Sequence, residues 1–267
     1  MVDSVTIESA TGCNGSCIIC PNQSKPRQPY FMPLSEFKMI LEFFLSLKGV
    51  VLCGMYEPLL DPRLDEVLTI IQHVQPSAKV TIFTNGSLLS PNMRRVLLSH
   101  SNLKYLVVSI HGFTREVYES VMKGLSRNQV YDNVLNFLEE REAYGEGPHV
   151  SVSFVRVKQN VHELPAFRHF WAGKVDVVSD FEVCSWQGQV PVEQLYYEWP
   201  THTRECPMFE KPLVIDAYGN IVLCCYNFTQ NYGHVLKGGY EKWLNKQRLS
   251  STYPLLECEK CNGWQHY

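Results

Sequence analysis

The chain has 267 residues, 45% of them apolar, which is enough to bury a sizeable hydrophobic core. Its 24 basic and 27 acidic side chains give a net charge of -3, and this balance provides no excess of positive charge to bind a nucleic-acid backbone. The sequence contains neither an apolar run of about 20 residues nor an export signal, so it predicts a cytoplasmic protein with no membrane partner.

Short β-branched runs alternate with amphipathic stretches as far as Cys184, a pattern typical of strands and helices around a parallel sheet. Six strands are predicted, at Val5–Ser9, Val50–Cys53, Lys79–Phe83, Lys104–Ile110, Val150–Val157 and Val175–Val183. Helices are predicted between them, at Leu34–Leu47, Arg63–Val74, Pro91–His100, Arg127–Tyr144 and Glu163–Trp171. The fold class indicated is α/β.

After Cys184, prolines and aromatic residues interrupt the pattern, which indicates a junction near residue 200 and two domains, 1–200 and 201–267. In the second domain, Leu213–Asp216 and Ile221–Cys225 flank a turn that contains Gly219, as in a β-hairpin. A single helix is predicted at Tyr240–Ser250. The second domain is therefore a small module of hairpin and helix.

Ten cysteines in a chain without an export signal indicate metal or redox chemistry rather than a disulfide framework. Three of them, Cys13, Cys17 and Cys20, fall on the loop after the first predicted strand. A four-iron cluster needs four ligands, so a loop that supplies three leaves one iron open to another molecule. Structural zinc is the alternative, although it usually requires a fourth protein ligand and cysteine pairs two residues apart.

The order Cys13, Cys17, Ile19, Cys20 resembles the motif of the radical S-adenosylmethionine (SAM) superfamily, in which an aromatic or apolar residue precedes the third cysteine. This resemblance implies a partial (β/α)6 TIM-like barrel, a 4Fe–4S cluster on the three cysteines, and bound SAM. It also implies an electron donor of the flavodoxin or ferredoxin type. The expected chemistry is reductive cleavage of SAM to a 5'-deoxyadenosyl radical, which abstracts a hydrogen atom from the substrate.

Further segments similar to those of the family follow the next three strands. Gly54 and Glu57 lie in a segment similar to the family's Gly-Glu-Pro segment, which takes the ammonium group of SAM, although bulkier residues stand where a second glycine is common. Asn85 and Ser109 lie in segments similar to those that line the cofactor site. Together with Ile19, these residues are the SAM contacts that the resemblance implies. Ordinary turn chemistry is the alternative for Asn85 and Ser109.

A second group of cysteines, Cys206, Cys224, Cys258 and Cys261, resembles the auxiliary-cluster extension of the SPASM and twitch type. The resemblance implies a second 4Fe–4S cluster on these four thiolates, with Cys225 as the alternative to Cys224. The cysteine count favours the shorter twitch form. A zinc ribbon is the alternative, because four thiolates also suit tetrahedral zinc.

Several side chains fall at predicted strand ends, where a barrel would bind its substrate. Cys184 is a candidate hydrogen-atom donor and His111 a candidate proton carrier, with inert packing as the alternative for each. Glu8, Arg156 and Trp186 have similar positions.

The layout resembles small twitch-type dehydrogenases, and no amino-terminal domain that would hold a leader peptide is expected. We therefore expect oxidation of an alcohol on a sugar or aminocyclitol. A ribosomal-peptide maturase, forming an epimerised residue or a crosslink, is the first alternative. A non-catalytic zinc-binding module is the second.

Overall fold

The computed structural model describes residues 2–24, 26–195 and 213–249. In this part of the chain, nine strands form one sheet. The strands are β1 (Ser4–Ile7), β2 (Gly49–Leu52), β3 (Lys79–Thr84), β4 (Leu103–Ser109), β5 (His149–Arg156), β6 (Val177–Glu182), β7 (Leu213–Ile215), β8 (Asn220–Cys224) and β9 (Asn227–His234). The α-helices are α1 (Leu34–Glu42), α2 (Leu64–Val74), α3 (Pro91–Ser99), α4 (Arg115–Val121), α5 (Arg127–Tyr144), α6 (Leu164–Trp171), α7 (Val192–Leu195) and α8 (Gly239–Leu249).

The strands lie in the order β6-β5-β4-β3-β2-β1-β7-β8-β9. All pairs from β6 to β7 are parallel, whereas β8 and β9 are antiparallel to their neighbours. Because β6 and β9 lie at the two edges, the sheet does not close on itself. The predicted α/β class and its six parallel strands are confirmed. The carboxyl ends of these parallel strands lie side by side along one side of the sheet, the carboxyl edge, which is where parallel α/β folds bind ligands.

The helices pack on the sheet through apolar side chains that recur every three or four residues. In α2 these are Leu64, Val67, Leu68 and Ile71, all buried. No helix in the described part of the chain is long and apolar enough to cross a membrane.

Local sequence fixes where several helices begin and end. The side-chain oxygens of Ser90, Thr114 and Ser126 each accept a hydrogen bond from the backbone N–H three residues later, which caps α3, α4 and α5. Gly145 ends α5 with a φ of 85°, a left-handed conformation that glycine adopts without strain.

The structure ends α1 at Glu42, five residues before the predicted end at Leu47. The apolar pattern continues to Leu47 because Phe44 and Leu47 stay buried after the helix has stopped, although Phe43 and Leu45 are exposed. The buried Gln75 side chain replaces the missing helical bonds. Its Nε2 donates to the carbonyls of Leu41 and Phe44 (2.8 Å each), and its Oε1 accepts from the Leu47 N–H (2.9 Å).

The chain from residue 213 to residue 249 extends the same sheet. Strand β7 pairs in parallel with β1, and β7 and β8 form the predicted hairpin around Gly219, which has a φ of 74°. Helix α8 follows, close to its predicted bounds. Helix α4 and strand β9 were not predicted, because α4 is short and β9 is rich in polar residues. The predicted junction near residue 200 lies outside the described residues.

Candidate functional site

The three motif cysteines lie on the loop after β1, at the carboxyl edge of the sheet. We call residues 10–24 the cysteine loop. The Glu57 N–H donates to the carbonyl of Gly12 (2.9 Å), which ties this loop to the segment after β2. The Ile18 N–H donates to the carbonyl of Val121 (3.0 Å), which ties it to the end of α4. The fold therefore fixes the loop backbone from two sides.

The thiols of Cys13, Cys17 and Cys20 are partly buried. Burial raises the pKa of Cys13 and of Cys17 above the ordinary value and raises the pKa of Cys20 to about 11. Negative charge on Cys20 and Cys13 adds to the rise in the pKa of Cys17. These thiols are therefore protonated near neutral pH, and a bound metal must displace their protons.

Asn85, after β3, lies beside the cysteine loop. Its Nδ2 donates to Oδ1 of Asn14 (2.9 Å) and lies 3.9 Å from Sγ of Cys13. Its Oδ1 accepts from both the N–H (2.9 Å) and the hydroxyl (2.6 Å) of Ser87. Asn14 closes the network, because its Nδ2 donates to the Ser87 hydroxyl oxygen (2.8 Å). This network fixes the orientation of Asn85 next to Cys13.

Gly54, after β2, lies directly against a buried carboxylate. A Cβ at this position would overlap Oε1 of Glu8, so the position requires glycine. The same Oε1 accepts a hydrogen bond from the Met55 N–H (2.8 Å). Glu8 therefore determines the path of the segment that the sequence predicts to bind SAM.

Glu8 has no exposed surface and pairs with Arg27 through two hydrogen bonds, from Nη1 (2.8 Å) and Nη2 (2.7 Å). The Ala217 N–H donates to its Oε2 (3.3 Å). Burial raises the pKa of Glu8, while the positive charge of Arg27 opposes the rise. Glu8, directly after β1, is therefore bonded to Arg27 just beyond the cysteine loop, to the segment after β2 and to the β7–β8 hairpin.

Glu57 is also buried, and its carboxylate accepts three hydrogen bonds from neutral donors. Its Oε1 accepts from the Leu59 N–H (3.1 Å) and the Thr84 hydroxyl (2.6 Å), and its Oε2 accepts from the Asn85 N–H (2.7 Å). Burial raises the pKa of Glu57 to about 7, against the effect of these donors. The structure thus places the carboxylate between the segments after β2 and β3, where it supports Asn85.

Among the other predicted residues, Ile19 is buried in the cysteine loop and Ser109 ends β4, half-buried at the carboxyl edge. His111 is buried, and its Nδ1 accepts a hydrogen bond from the Val155 N–H (3.1 Å). Burial lowers the pKa of His111 to about 4. A neutral ring bonded to the backbone in this way favours a structural role over proton transfer near neutral pH.

Cys184 is buried just after β6, and its Sγ accepts a hydrogen bond from the Trp186 N–H (3.4 Å). Trp186 has a φ of 47°, which is unusual for a residue other than glycine. Its Nε1 donates to the carbonyl of Ile19 (3.1 Å), and its ring meets that of Tyr226 edge-on at 5.3 Å. Trp186 therefore connects the cysteine loop to the turn between β8 and β9.

Of the second cysteine group, Cys224 ends β8 and is half-buried, as is its neighbour Cys225. Cys206, Cys258 and Cys261 lie outside the described residues. The sequence did not predict roles for Arg27 or Asn22, because neither is a residue of the cysteine motif. The Asn22 Nδ2 donates to the carbonyl of Met55 (2.9 Å), which ties the cysteine loop to the segment after β2.

Residues 7–164, more than half of the chain, match the family model of the Radical SAM superfamily. The chain belongs to the radical SAM superfamily. This membership confirms the resemblance carried by the cysteine loop, and the family implies bound SAM and a 4Fe–4S cluster.

Two curated proteins are similar in sequence to about half of this radical SAM chain. A GTP 3',8-cyclase of Limosilactobacillus fermentum is 30% identical over 137 residues, which are 49% of this chain and 40% of the relative. An S-adenosyl-L-methionine-dependent 2-deoxy-scyllo-inosamine dehydrogenase of Niallia circulans is 28% identical over 126 residues, 46% of this chain and 50% of the relative. The chain thus matches half or less of the length of each relative.

Two solved structures resemble the chain over almost all of its length. BtrN in complex with AdoMet and 2-DOIA has a TM-score of 0.64 at 15% identity, over 98% of this chain and 93% of that chain. Streptococcus suis SuiB bound to the precursor peptide SuiA has a TM-score of 0.71 at 16% identity, over 100% of this chain and 71% of that chain. At this identity the matches establish the fold, and they confirm the predicted partial barrel.

Two buried polar atoms near the cysteine loop fit the groups that a radical SAM protein binds. In the described part of the chain, Oδ1 of Asn22 and the hydroxyl of Tyr118 have no hydrogen-bond partner. Buried polar atoms are rarely left unpaired, so these two are available to a bound group.

No group of three or more His, Cys, Asp or Glu in the same described residues is arranged to hold a single metal ion. The thiolates of a four-iron cluster bind different iron atoms, so they do not have to meet at one ion.

Proposed function

We propose that the chain binds a 4Fe–4S cluster through Cys13, Cys17 and Cys20, binds SAM at the open iron, and oxidises an alcohol of a sugar or aminocyclitol. The observation that carries the cluster site is the cysteine loop held by backbone hydrogen bonds to the segment after β2 and to the end of α4. The substrate class is supported by the dehydrogenase relative and by the BtrN complex, whose names state an aminocyclitol substrate and a small bound molecule.

When bound, the cluster and SAM supply a 5'-deoxyadenosyl radical, which takes a hydrogen atom from an unactivated carbon of the substrate. The residues of the chain position SAM for this step. We assign contacts with SAM to Ile19, Gly54, Asn85 and Ser109, all at the carboxyl edge of the sheet. Glu57 holds Asn85 in place in this proposal, because its Oε2 accepts from the Asn85 N–H and its Oε1 accepts from the Leu59 N–H and the Thr84 hydroxyl.

The second module has a separate role in this proposal. Cys206, Cys224, Cys258 and Cys261 would hold a second 4Fe–4S cluster, which would supply an acceptor for the electron that a substrate radical loses. Conversion of an alcohol to a carbonyl then balances: one hydrogen leaves as an atom, one as a proton to solvent, and one electron goes to that acceptor. The oxidation therefore requires both modules.

Iron analysis and 5'-deoxyadenosine release test the cluster site. Anaerobically reconstituted protein should contain about eight irons per chain for two four-iron clusters, and reduction with dithionite should release 5'-deoxyadenosine from SAM. The Cys17→Ala variant should lose about half the iron and all of the release. Cys53→Ala, which changes a cysteine outside both groups, should retain the iron. Zinc in place of iron would contradict the proposal and favour an interaction module.

A peptide maturase is the second candidate, because the SuiB structure with its precursor peptide covers the whole of this chain. Incubation in heavy water with candidate cyclitols and peptides distinguishes the two. A product two electrons more oxidised, without deuterium on carbon, supports the dehydrogenase. Deuterium fixed at an inverted carbon of a peptide, or a new crosslink, supports the maturase instead.

A further inference from the structure

Tyr118 lies on α4, the helix whose end holds the cysteine loop. Its side chain has no exposed surface. The chain after β4 packs directly against its backbone, because a Cβ at Gly112 would lie 2.5 Å from the Cα of Tyr118. Tyr118 therefore has a fixed position at the carboxyl edge of the sheet.

The segment after Tyr118 lies along the cysteine loop on both sides of Cys17. The carbonyl of Val121 accepts from the Ile18 N–H (3.0 Å), and the carbonyl of Lys123 accepts from the Ser16 N–H (2.8 Å). Val121 is three residues after Tyr118, so the two lie on the same face of the helix. This geometry places Tyr118 beside the part of the cysteine loop that carries Cys17.

The hydroxyl of Tyr118 is buried and has no hydrogen-bond partner in the described part of the chain. By contrast, the hydroxyl of the buried Tyr131 donates to the carbonyl of Gly112 (2.9 Å). Burial raises the pKa of Tyr118, and an electrostatic interaction with Cys17 raises it further, in agreement with the position of Tyr118 beside this part of the cysteine loop. A buried hydroxyl without a partner is costly, so this hydroxyl is available to donate to a bound group.

We propose that the Tyr118 hydroxyl donates a hydrogen bond to the cluster bound by Cys13, Cys17 and Cys20, on the side of Cys17. This inference rests on the proposed cluster site. A donor at this position stabilises the more negative, reduced cluster, and hydrogen bonds to cluster sulfurs are among the factors that set its reduction potential. Tyr118 thus makes the cluster easier to reduce.

The test is the Tyr118→Phe variant, which removes the hydroxyl and keeps the ring. An EPR-monitored redox titration of the reconstituted protein should show a more negative midpoint for the cluster on the cysteine loop. A tenfold weaker reduction equilibrium corresponds to a shift of about 59 mV for one electron. Tyr131→Phe is the matched control, because its hydroxyl has a protein partner, and it should leave the midpoint unchanged.

The protein without metal provides a second readout. Removal of an unpartnered hydroxyl should leave the unfolding midpoint of Tyr118→Phe unchanged or raise it, whereas Tyr131→Phe should lower it. A lower unfolding midpoint for Tyr118→Phe overturns the inference, because the hydroxyl then has a partner in the chain.

Two results for the reconstituted variant also overturn it. One is full iron content with an unshifted redox midpoint. The other is failure of the folded variant to hold iron, because a tuning donor is not a ligand. Failure of the unmodified protein to form a cluster would instead contradict the proposed function.

Discussion

Two buried carboxylates support the site, and they differ in what compensates their charge. Glu8 faces the guanidinium of Arg27, with two hydrogen bonds of 2.8 and 2.7 Å. Glu57 faces neutral donors only, two backbone N–H groups and the hydroxyl of Thr84. Burial raises the pKa of both carboxyl groups, but only Glu8 has a positive charge that opposes the rise.

This difference determines how strongly each part of the site is stabilised. A positive side chain offsets the cost of a buried carboxylate more fully than dipoles do. The Glu8–Arg27 pair accordingly contacts the segments that carry Gly54 and Ala217, and so links the segment after β2 to the β7–β8 hairpin. The Glu57 carboxylate links the segments after β2 and β3, and its protonation changes near neutral pH. The support from Glu57 therefore depends on pH in the neutral range.

The largest effect is expected from Arg27→Met, which leaves Glu8 buried without its counter-charge. Removal of one partner from a buried ion pair costs about 3–5 kcal/mol. Urea unfolding of the metal-free protein at pH 7.5 measures this loss. Because Ala217 contacts the same carboxylate, hydrogen exchange in the β7–β8 hairpin should also become faster.

The exposed Lys48–Asp3 pair is the control for this comparison, since its N–O distance of 2.6 Å is equally short. Lys48→Met should change stability little, because solvent screens exposed pairs. The double variant Glu8→Gln with Arg27→Met should be more stable than Arg27→Met alone. Equal unfolding midpoints for Arg27→Met and Lys48→Met would show that the charged support contributes no more than a surface pair.

Gly54→Ala should have the next largest effect. The new methyl group would overlap the Glu8 carboxylate, which Arg27 and the Met55 N–H hold in place. Such overpacking costs about 1–3 kcal/mol. Equilibrium dialysis of the reconstituted variant should show weaker SAM binding, because the segment after β2 must move.

Gly173→Ala is the matched control for Gly54→Ala. Gly173 has a φ of 75°, and a Cβ at this position would have no neighbouring atom within 4 Å, so this variant tests backbone strain alone. It should retain the SAM affinity of the unmodified protein. Unchanged SAM affinity in Gly54→Ala would show that the contact between Gly54 and Glu8 does not affect SAM binding.

The Glu57 support predicts a pH dependence. Its pKa is about 7 in the folded protein and near the ordinary 4.5 in the unfolded chain, so the folded state binds the proton more tightly. The stabilisation is present below pH 4.5 and is lost as the pH rises through 7, with a slope of at most about 1.4 kcal/mol per pH unit. Urea unfolding of metal-free protein between pH 5 and 8 measures this slope. Glu57→Gln should flatten it, and an identical slope in the variant would assign the titration to another group.

The sequence predicted the sheet, most helices and the cysteine loop, because these depend on local patterns. Cys13, Cys17 and Cys20 lie close together in sequence. Gly54 and Asn85 follow strands whose carboxyl ends lie side by side in any parallel sheet. The partners that hold them could not be predicted. Arg27 contacts Glu8 across 19 residues and Ala217 contacts it across 209, and no periodic pattern records such pairs. His111 looked like a proton carrier by type, whereas its burial and its bond to Val155 are properties of the tertiary structure.

The smallest effect is expected from Trp186→Phe, which tests a support with no charge on either partner. The change removes the bond from Nε1 to the carbonyl of Ile19 and keeps an aromatic ring against Tyr226, so it should cost about 1 kcal/mol. Amide hydrogen exchange at residues 17–20 should become faster, because this bond holds the part of the cysteine loop that carries Cys17 and Cys20. Trp243→Phe, on α8, should leave that exchange unchanged. If residues 17–20 of Trp186→Phe exchange at the unmodified rate, the other hydrogen bonds of the cysteine loop hold it in place without Trp186.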